Sequence, residues 1–238
     1  MTSKLKEGVM QVVFTLCACV SILAVALICI FLFANGVPTL FKIGPMQFLL
    51  GTTWKPGNDI FGILPMILGS IYVTAGAILV GVPIGLLTAV FLSKAAGPKV
   101  RTVVVTAIEL LSGIPSVVFG LLGMQVLVPA VARTFGKASG ACLLSAIVVL
   151  SIMILPSIVS VSVTALNAVP PEYEQGSLAL GATDTETWFK ISIPAAKSGI
   201  AAGVVLGIGR AIGEAMAVMM VSGNVANMPS LFQSVRFL

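Results

Sequence analysis

Apolar residues fill this chain in long uncharged blocks, and the charges between them divide it into spans. Gly8–Phe41 carries no charge, and within it Val9–Phe33 is long enough to cross about 30 Å of hydrocarbon as a helix. Lys4 and Lys6 stand in front of it like the n-region of a signal peptide. The run is too long for one and no small-residue cleavage site follows, so it reads as an uncleaved first helix with its N-terminus in the cytoplasm. Asn35–Ile63, rich in Gly and Pro, is predicted as an outer segment with Trp54 at the interface. The next uncharged block, Ile60–Ser93, holds Pro83 between Gly81 and Gly85: a kink, and a small-xxx-small spacing that lets another helix approach. Lys94, Lys99 and Arg101 follow with Pro98 in a short loop, inside by its positive charge. Thr102 to about Val131 is the expected third span. It carries Glu109, which is either paired or wet within the protein or reaches toward the cytoplasmic interface. Arg133 and Lys137 mark an outer loop. About Ser139–Leu166 is the fourth span, with Pro156 in its middle, and Ser198–Ser222 is the fifth, expected as one continuous helix. The remainder, VANMPSLFQSVRFL, is too short and interrupted to span.

Between the fourth and fifth spans lies the longest polar passage, Val169–Pro194. Four crossings from an inside N-terminus bring the chain back to the cytoplasm just before Pro170. Pro170 and Pro171 suit a first helical turn, where a missing N–H costs nothing, and Glu172 and Glu174 sit where the helix dipole favours acid. Gly181 can take the left-handed conformation that ends a helix. Thr183 opens a second helix, with Glu186 completing a capping box, and Pro194 ends it or starts the next. Tyr173, Leu178, Leu180, Trp188 and Phe189 give this helix–glycine–helix loop an apolar side. An ordinary surface loop does not need paired caps and two aromatics of this size, so a docking element is the better reading.

Composition agrees with a membrane protein. In 238 residues, 58% are apolar and only 9% charged, which does not describe a soluble domain. The net charge of +5 is spread over short loops without a basic patch, so nucleic acid is not the expected partner. Histidine, the commonest general base and metal ligand, is absent. Cys17, Cys19, Cys29 and Cys142 all lie in apolar runs and read as soft packing residues, not as a disulfide or metal site. No Gly-x-x-x-x-Gly-Lys-Ser/Thr loop occurs, so the chain is not itself an ATPase.

The fifth span carries the candidate chemistry. Gly199, Gly203 and Gly207 recur every four residues, and Arg210 and Glu214 follow at seven-residue offsets from Gly203 and Gly207, on the same predicted face. Arg210 lies about 18 Å from the helix start, near mid-bilayer, so it must face protein or a water-filled path. Either Arg210 and Glu214 neutralise each other at i,i+4 and tie helices together, or Arg210 offers its planar, permanently charged fork to an oxyanion in transit. In the second case the glycine face is the groove for the anion, and Glu214 orients the arginine or accepts a proton from a partly protonated oxyanion.

Gly181, then nine residues, then Ile191-x-Ile193-Pro194 resembles the cytoplasmic EAA loop of ABC-importer permeases, which plugs into an ATPase subunit. The usual Glu-Ala-Ala falls on Gln175-Gly176-Ser177, with the acid displaced to Glu174. YEQGSLALGAT, KIGPMQFLLGTTWKPGNDIFGILPMILGS, ELLSGIPSVVFGLLG and GRAIGEAMAV resemble the permeases of bacterial phosphate importers of the PstC type. The resemblance implies an all-α integral membrane protein with the type I ABC-importer permease fold, a single permease domain over 1–238. Five of an expected six transmembrane helices are present, and 170–194 is the coupling loop. It implies a substrate path at Arg210, Glu214, Gly203 and Gly207. ATPase coupling falls to Tyr173, Glu174, Gln175, Gly176, Gly181, Thr183, Trp188 and Pro194. The implied setting is the bacterial inner membrane, and the implied partners are a second permease chain, a pair of ATPase subunits, an external phosphate-binding protein and the bilayer. No cofactor is expected on this chain, since ATP and magnesium belong to the partner ATPase. Rival readings are a permease for another oxyanion such as sulfate or molybdate, an ATP-independent secondary transporter or channel, and a phosphate-sensing role beside transport.

Overall fold

The computed structural model describes residues 2–235, with side chains from residue 7 onward. Lys4, Lys6 and the last three residues of the tail, Arg236 to Leu238, lie outside that description as side chains. The chain forms two compact units, Met1–Gly62 and Ile63–Leu238.

The first unit is one long helix followed by a small ribbon. Helix α1, Thr2–Ile43, runs well beyond the predicted end at Phe33 and through Asn35 and Pro38. Asn35 Nδ2 donates to the Phe31 carbonyl at 2.8 Å and Thr39 Oγ1 to the Asn35 carbonyl at 2.9 Å, so the polar side chains fold back on their own helix. Its apolar side chains are exposed all round, as in Ile22, Phe31 and Phe33, which is the surface of a lipid-facing span. Gly44, at φ +94°, turns the chain into α2, Pro45–Leu50. Strands β1 (Trp54–Lys55) and β2 (Ile60–Phe61) then pair antiparallel with Trp54 opposite Phe61, their rings edge to face at 5.8 Å.

The second unit begins with α3, Leu64–Val90, which continues as a wider π turn over Phe91–Ala95. The predicted third span is two pieces. Helix α4, Pro98–Gly113, ends where Ile114 turns extended before Pro115, a residue that disfavours the helical conformation in its predecessor. The apolar stretch then runs through α5 (Ser116–Leu122), a π turn (Gly123–Leu127) and α6 (Val128–Thr134). Helix α7, Leu143–Asn167, holds Pro156 without interruption. The polar passage forms α8 (Pro171–Ala179), α9 (Asp184–Thr187), a π turn (Trp188–Ser192) and α10 (Ile193–Ala195). Helices α11 (Lys197–Gly213) and α12 (Met216–Ser222) follow. Among the described residues four helices are long and apolar enough to cross a membrane, and a fifth candidate joins Asp184–Ala195 to Lys197–Gly213 across a 73° bend.

Helix α7 is the centre of this unit. Its Ile154 and Ile158 are fully buried, with α3 on one side and α11 on the other. Gly81 and Gly85 of α3 make room for them: an added Cβ would lie 2.8 Å from Ile154 Cδ1 and 2.9 Å from Ile158 Cγ2. From α11, a Cβ at Gly207 would lie 2.8 Å from Ile158 Cγ1, and one at Gly203 3.1 Å from Val161 Cβ. Between helices in lipid such close van der Waals packing is the main attraction, because lipid tails are as apolar as the side chains. The tail returns to the start of α7, where the amides of Leu143 and Leu144 donate to the carbonyls of Gln233 (3.2 Å) and Leu231 (3.0 Å). Two of the N–H groups that every helix start leaves open are thereby satisfied.

Candidate functional site

The predicted continuous fifth helix is broken at its most polar point. Helix α11 stops at Gly213, Glu214 is extended (φ −85°, ψ 110°), and α12 starts two residues later. The Glu214 carboxylate, one residue before the N-cap Ala215, accepts the Ala217 amide at 3.0 Å, and its charge suits the start of α12. Gly213 weakens the helix just before the break.

This break separates the two charges that a straight helix would stack. Among the described residues no carboxylate lies within 4.0 Å of Arg210. The half-buried Arg210 instead reaches α7, where Nη1 lies 3.4 Å from Ser157 Oγ. The pair is therefore not self-neutralised at i,i+4. Nor do Gly203 and Gly207 form an open groove for an anion: both are buried, and the space beside them is filled by Val161 and Ile158. They are packing positions, because four-residue spacing of small residues admits a neighbouring helix as readily as a ligand.

Beside the break lies a cavity of about 410 Å³, lined among others by Ser70, Ile71 and Thr74 of α3 and by Ala211, Glu214 and Ala215. Its hydroxyls and one carboxylate sit in otherwise apolar walls, as in sites that bind small solutes. Arg210 does not line it. Glu109 lines a separate cleft of about 180 Å³ with Ser160 and Thr164.

The polar loop is built largely as its caps predict. Gly181 adopts φ +88°, and the Thr183 hydroxyl accepts the Glu186 amide while Glu186 accepts the Thr183 amide. Pro194 lies in α10, just before the bend into α11. Tyr173, Gln175, Gly176 and Thr183 are exposed, as are Leu180 and Phe189. Trp188 packs inward on a cluster that includes Leu92, Leu166 and Ile200. Glu174 also turns inward. Its Oε1 forms an ion pair with Lys94 Nζ and accepts Ser192 Oγ at 2.8 Å, so this expected ATPase-coupling residue also has partners within the permease. Burial disfavours its charge, but the bonds from Lys94 and Ser192 and the lysine charge outweigh this and hold the carboxyl below its ordinary value. Beneath it Ser177 and Thr187 share a hydrogen bond of 2.8 Å. Lys94, Ser192, Ser157, Ser70 and Thr74 were not singled out as site residues by the sequence. Lys94 stood out there only as a loop charge, since its partner is 80 residues away.

A broken apolar helix, a half-buried arginine and a capped polar loop together invite comparison with known transport proteins. Residues 81–236 match the family described as binding-protein-dependent transport system inner membrane component. The chain belongs to this family. It is thus a membrane permease, and its relatives bear the same character. It is 41% identical over 223 residues to the probable ABC transporter permease protein YqgH of Bacillus subtilis (strain 168), covering 92% of this chain and 72% of that one. It is 35% identical over 216 residues to the phosphate transport system permease protein PstC of Mesorhizobium japonicum, covering 83% of this permease and 66% of PstC. Among solved structures, it resembles a chain of the inward-facing MetNI methionine ABC transporter, with a TM-score of 0.52, 20% identity, and coverage of 71% of this chain and 74% of that one. That likeness establishes the ABC-importer permease fold.

Proposed function

We propose that this permease forms part of the path of an ATP-driven importer of inorganic phosphate. The observation that carries the reading is Arg210: a permanent cation on an apolar helix, met by a serine hydroxyl and, among the described residues, by no carboxylate, one turn before a break in that helix. An uncompensated guanidinium in a membrane protein is stabilised by an anion that visits it, and its planar fork suits phosphate. Similarity to PstC proteins supports phosphate over other oxyanions. Glu214, at the break, supplies a carboxylate in the adjoining cavity that can accept a hydrogen bond from a P–OH of a partly protonated phosphate.

ATP is hydrolysed by a separate ATPase pair that docks on the exposed face of the loop at Tyr173, Leu180 and Phe189. A second permease chain completes the path, and an external binding protein delivers the anion. The N-terminus and the loop lie on the cytoplasmic side.

The test is phosphate uptake by cells carrying Arg210→Gln or Arg210→Lys, with membrane expression and ATPase association measured in parallel. Uptake is expected to fall by about a hundredfold for glutamine, the loss of one charge-assisted contact of about 3 kcal/mol, with the complex intact. Lysine recovers only part, lacking the fork. Unchanged uptake in the glutamine variant refutes the role of Arg210.

A further inference from the structure

The inward turn of Glu174 leaves an ion pair that ties the polar loop to a helix far away in sequence. Lys94 lies in the π turn at the end of α3, a form of helix that recurs at functional sites. Its ammonium group meets Glu174 of α8, and Ser192, two residues before Pro194, donates to the same carboxylate oxygen. The neighbouring Ser93 hydroxyl donates to Asn167 Oδ1 at 2.8 Å, at the end of α7. The side chains of the pair are largely withdrawn from solvent, 12% exposed for Lys94 and 25% for Glu174, so the contact is not the loose surface ion pair that contributes little. Trp188 packs on the apolar cluster directly alongside. One carboxylate oxygen thus gathers the ends of three segments: α3, α8 and the turn leading to α11.

We infer that Lys94, Glu174 and Ser192 form a latch that carries displacement of the loop into α3, and that Glu174 is a positioning residue within the permease. Helix α3 has the cavity at its other half, through Ser70 and Thr74, and the latch at its end, about 24 Å from Ile78 to Lys94. Helix α3, continuous through Pro83 and packed along α7, links the two. Pulling Glu174 away from Lys94 would leave a half-buried cation with only the Leu166 carbonyl, 3.5 Å away, and no counter-charge, so the loop and α3 move together.

This role rests on the reading of the chain as an ATP-driven phosphate permease, and the experiment separates the two. The assembled transporter, purified through a tag on this chain and placed in liposomes, is compared with Lys94→Met, Glu174→Gln, the double variant, and the exchange Lys94→Glu with Glu174→Lys. Phosphate carried per ATP hydrolysed is expected to drop by about tenfold in each single variant while the ATPase still copurifies. The double variant should be no worse than either single one, and the exchange should recover most of the ratio. A second readout does not depend on the substrate: Trp188 emission, in a Trp54→Phe background, shifts to the red in the single variants and returns in the exchange. If Lys94→Met carries phosphate normally while Glu174→Gln loses the ATPase, Glu174 is an ATPase contact and the latch is refuted. Additive losses with no emission shift refute it as well. Should the unaltered transporter carry no phosphate, the proposed substrate fails, and the emission series alone decides the latch.

Discussion

Arg210 and Glu214 are four residues apart and do different jobs, because the backbone between them leaves the helix. Glu214 holds the first turn of α12 through the Ala217 amide. Glu214→Ala should therefore cost about 1 kcal/mol of stability, the net worth of one hydrogen bond, while Glu214→Gln keeps an acceptor and costs less. Thermal unfolding of the detergent-purified permease distinguishes the two. Glu174 supports a second prediction, with its sign set by the lowered carboxyl pKa. A carboxyl depressed in the folded state contributes stability that is complete above its unfolded value, about 4.3, and is lost as pH falls through the lower native one. Trp188 emission in the Trp54→Phe background should stay flat from about pH 8 to about pH 5 and change only below about 4.3, with no such change in Glu174→Gln. At this scale the sequence was legible where the partner was local. Gly181 and the Thr183–Glu186 box depend on residues within one turn, and both took the expected form. The direction of Glu174 depends on Lys94, and no periodicity links positions 94 and 174.

The glycines of α11 differ in what surrounds them, and this difference can be tested at the level of the element. A Cβ added at Gly207 would lie 2.8 Å from Ile158 Cγ1, whereas nothing lies within 4 Å of a Cβ placed on Gly209. Gly209→Ala should stabilise α11 by roughly 0.5–1 kcal/mol through helix propensity, and Gly207→Ala should destabilise the unit by forcing Ile158 aside. Melting temperatures moving in opposite directions would bear this out; two equal shifts would not. The repeat of small residues announced a close contact correctly but left its occupant open between helix and anion. The break after Gly213 was hidden for a related reason. Apolar and small residues continue unchanged across it, and the side chain that meets the next helix start is a glutamate that also reads as a charge on a straight helix. The end of α4 at Ile114 was more readable, since Pro115 already restricts its predecessor.

Across the whole second unit, the membrane character, the order of the apolar segments and the position of the polar loop were all visible in the uncharged blocks and the charges between them. What the blocks could not rank was which segment lies at the centre, because every span is apolar and burial follows from who packs on whom. Helix α7 is that centre, and hydrogen exchange should show it: amides from Leu150 to Val159 are expected to exchange slowest, with those of Leu143 and Leu144 protected by the returning tail. Fast exchange at Leu143 and Leu144 would mean the tail does not hold them.

The isoleucines of α7 have a mechanical consequence. Ile158 is seated between a glycine of α3 and one of α11, so neither outer helix can slide along α7 by a turn without driving a backbone into a side chain. Cores of this density do not deform smoothly. The three helices therefore behave as one keyed shaft, which can tilt or rotate as a body but cannot telescope. Any opening and closing of a path through this permease must then take place along the outer flanks of that shaft.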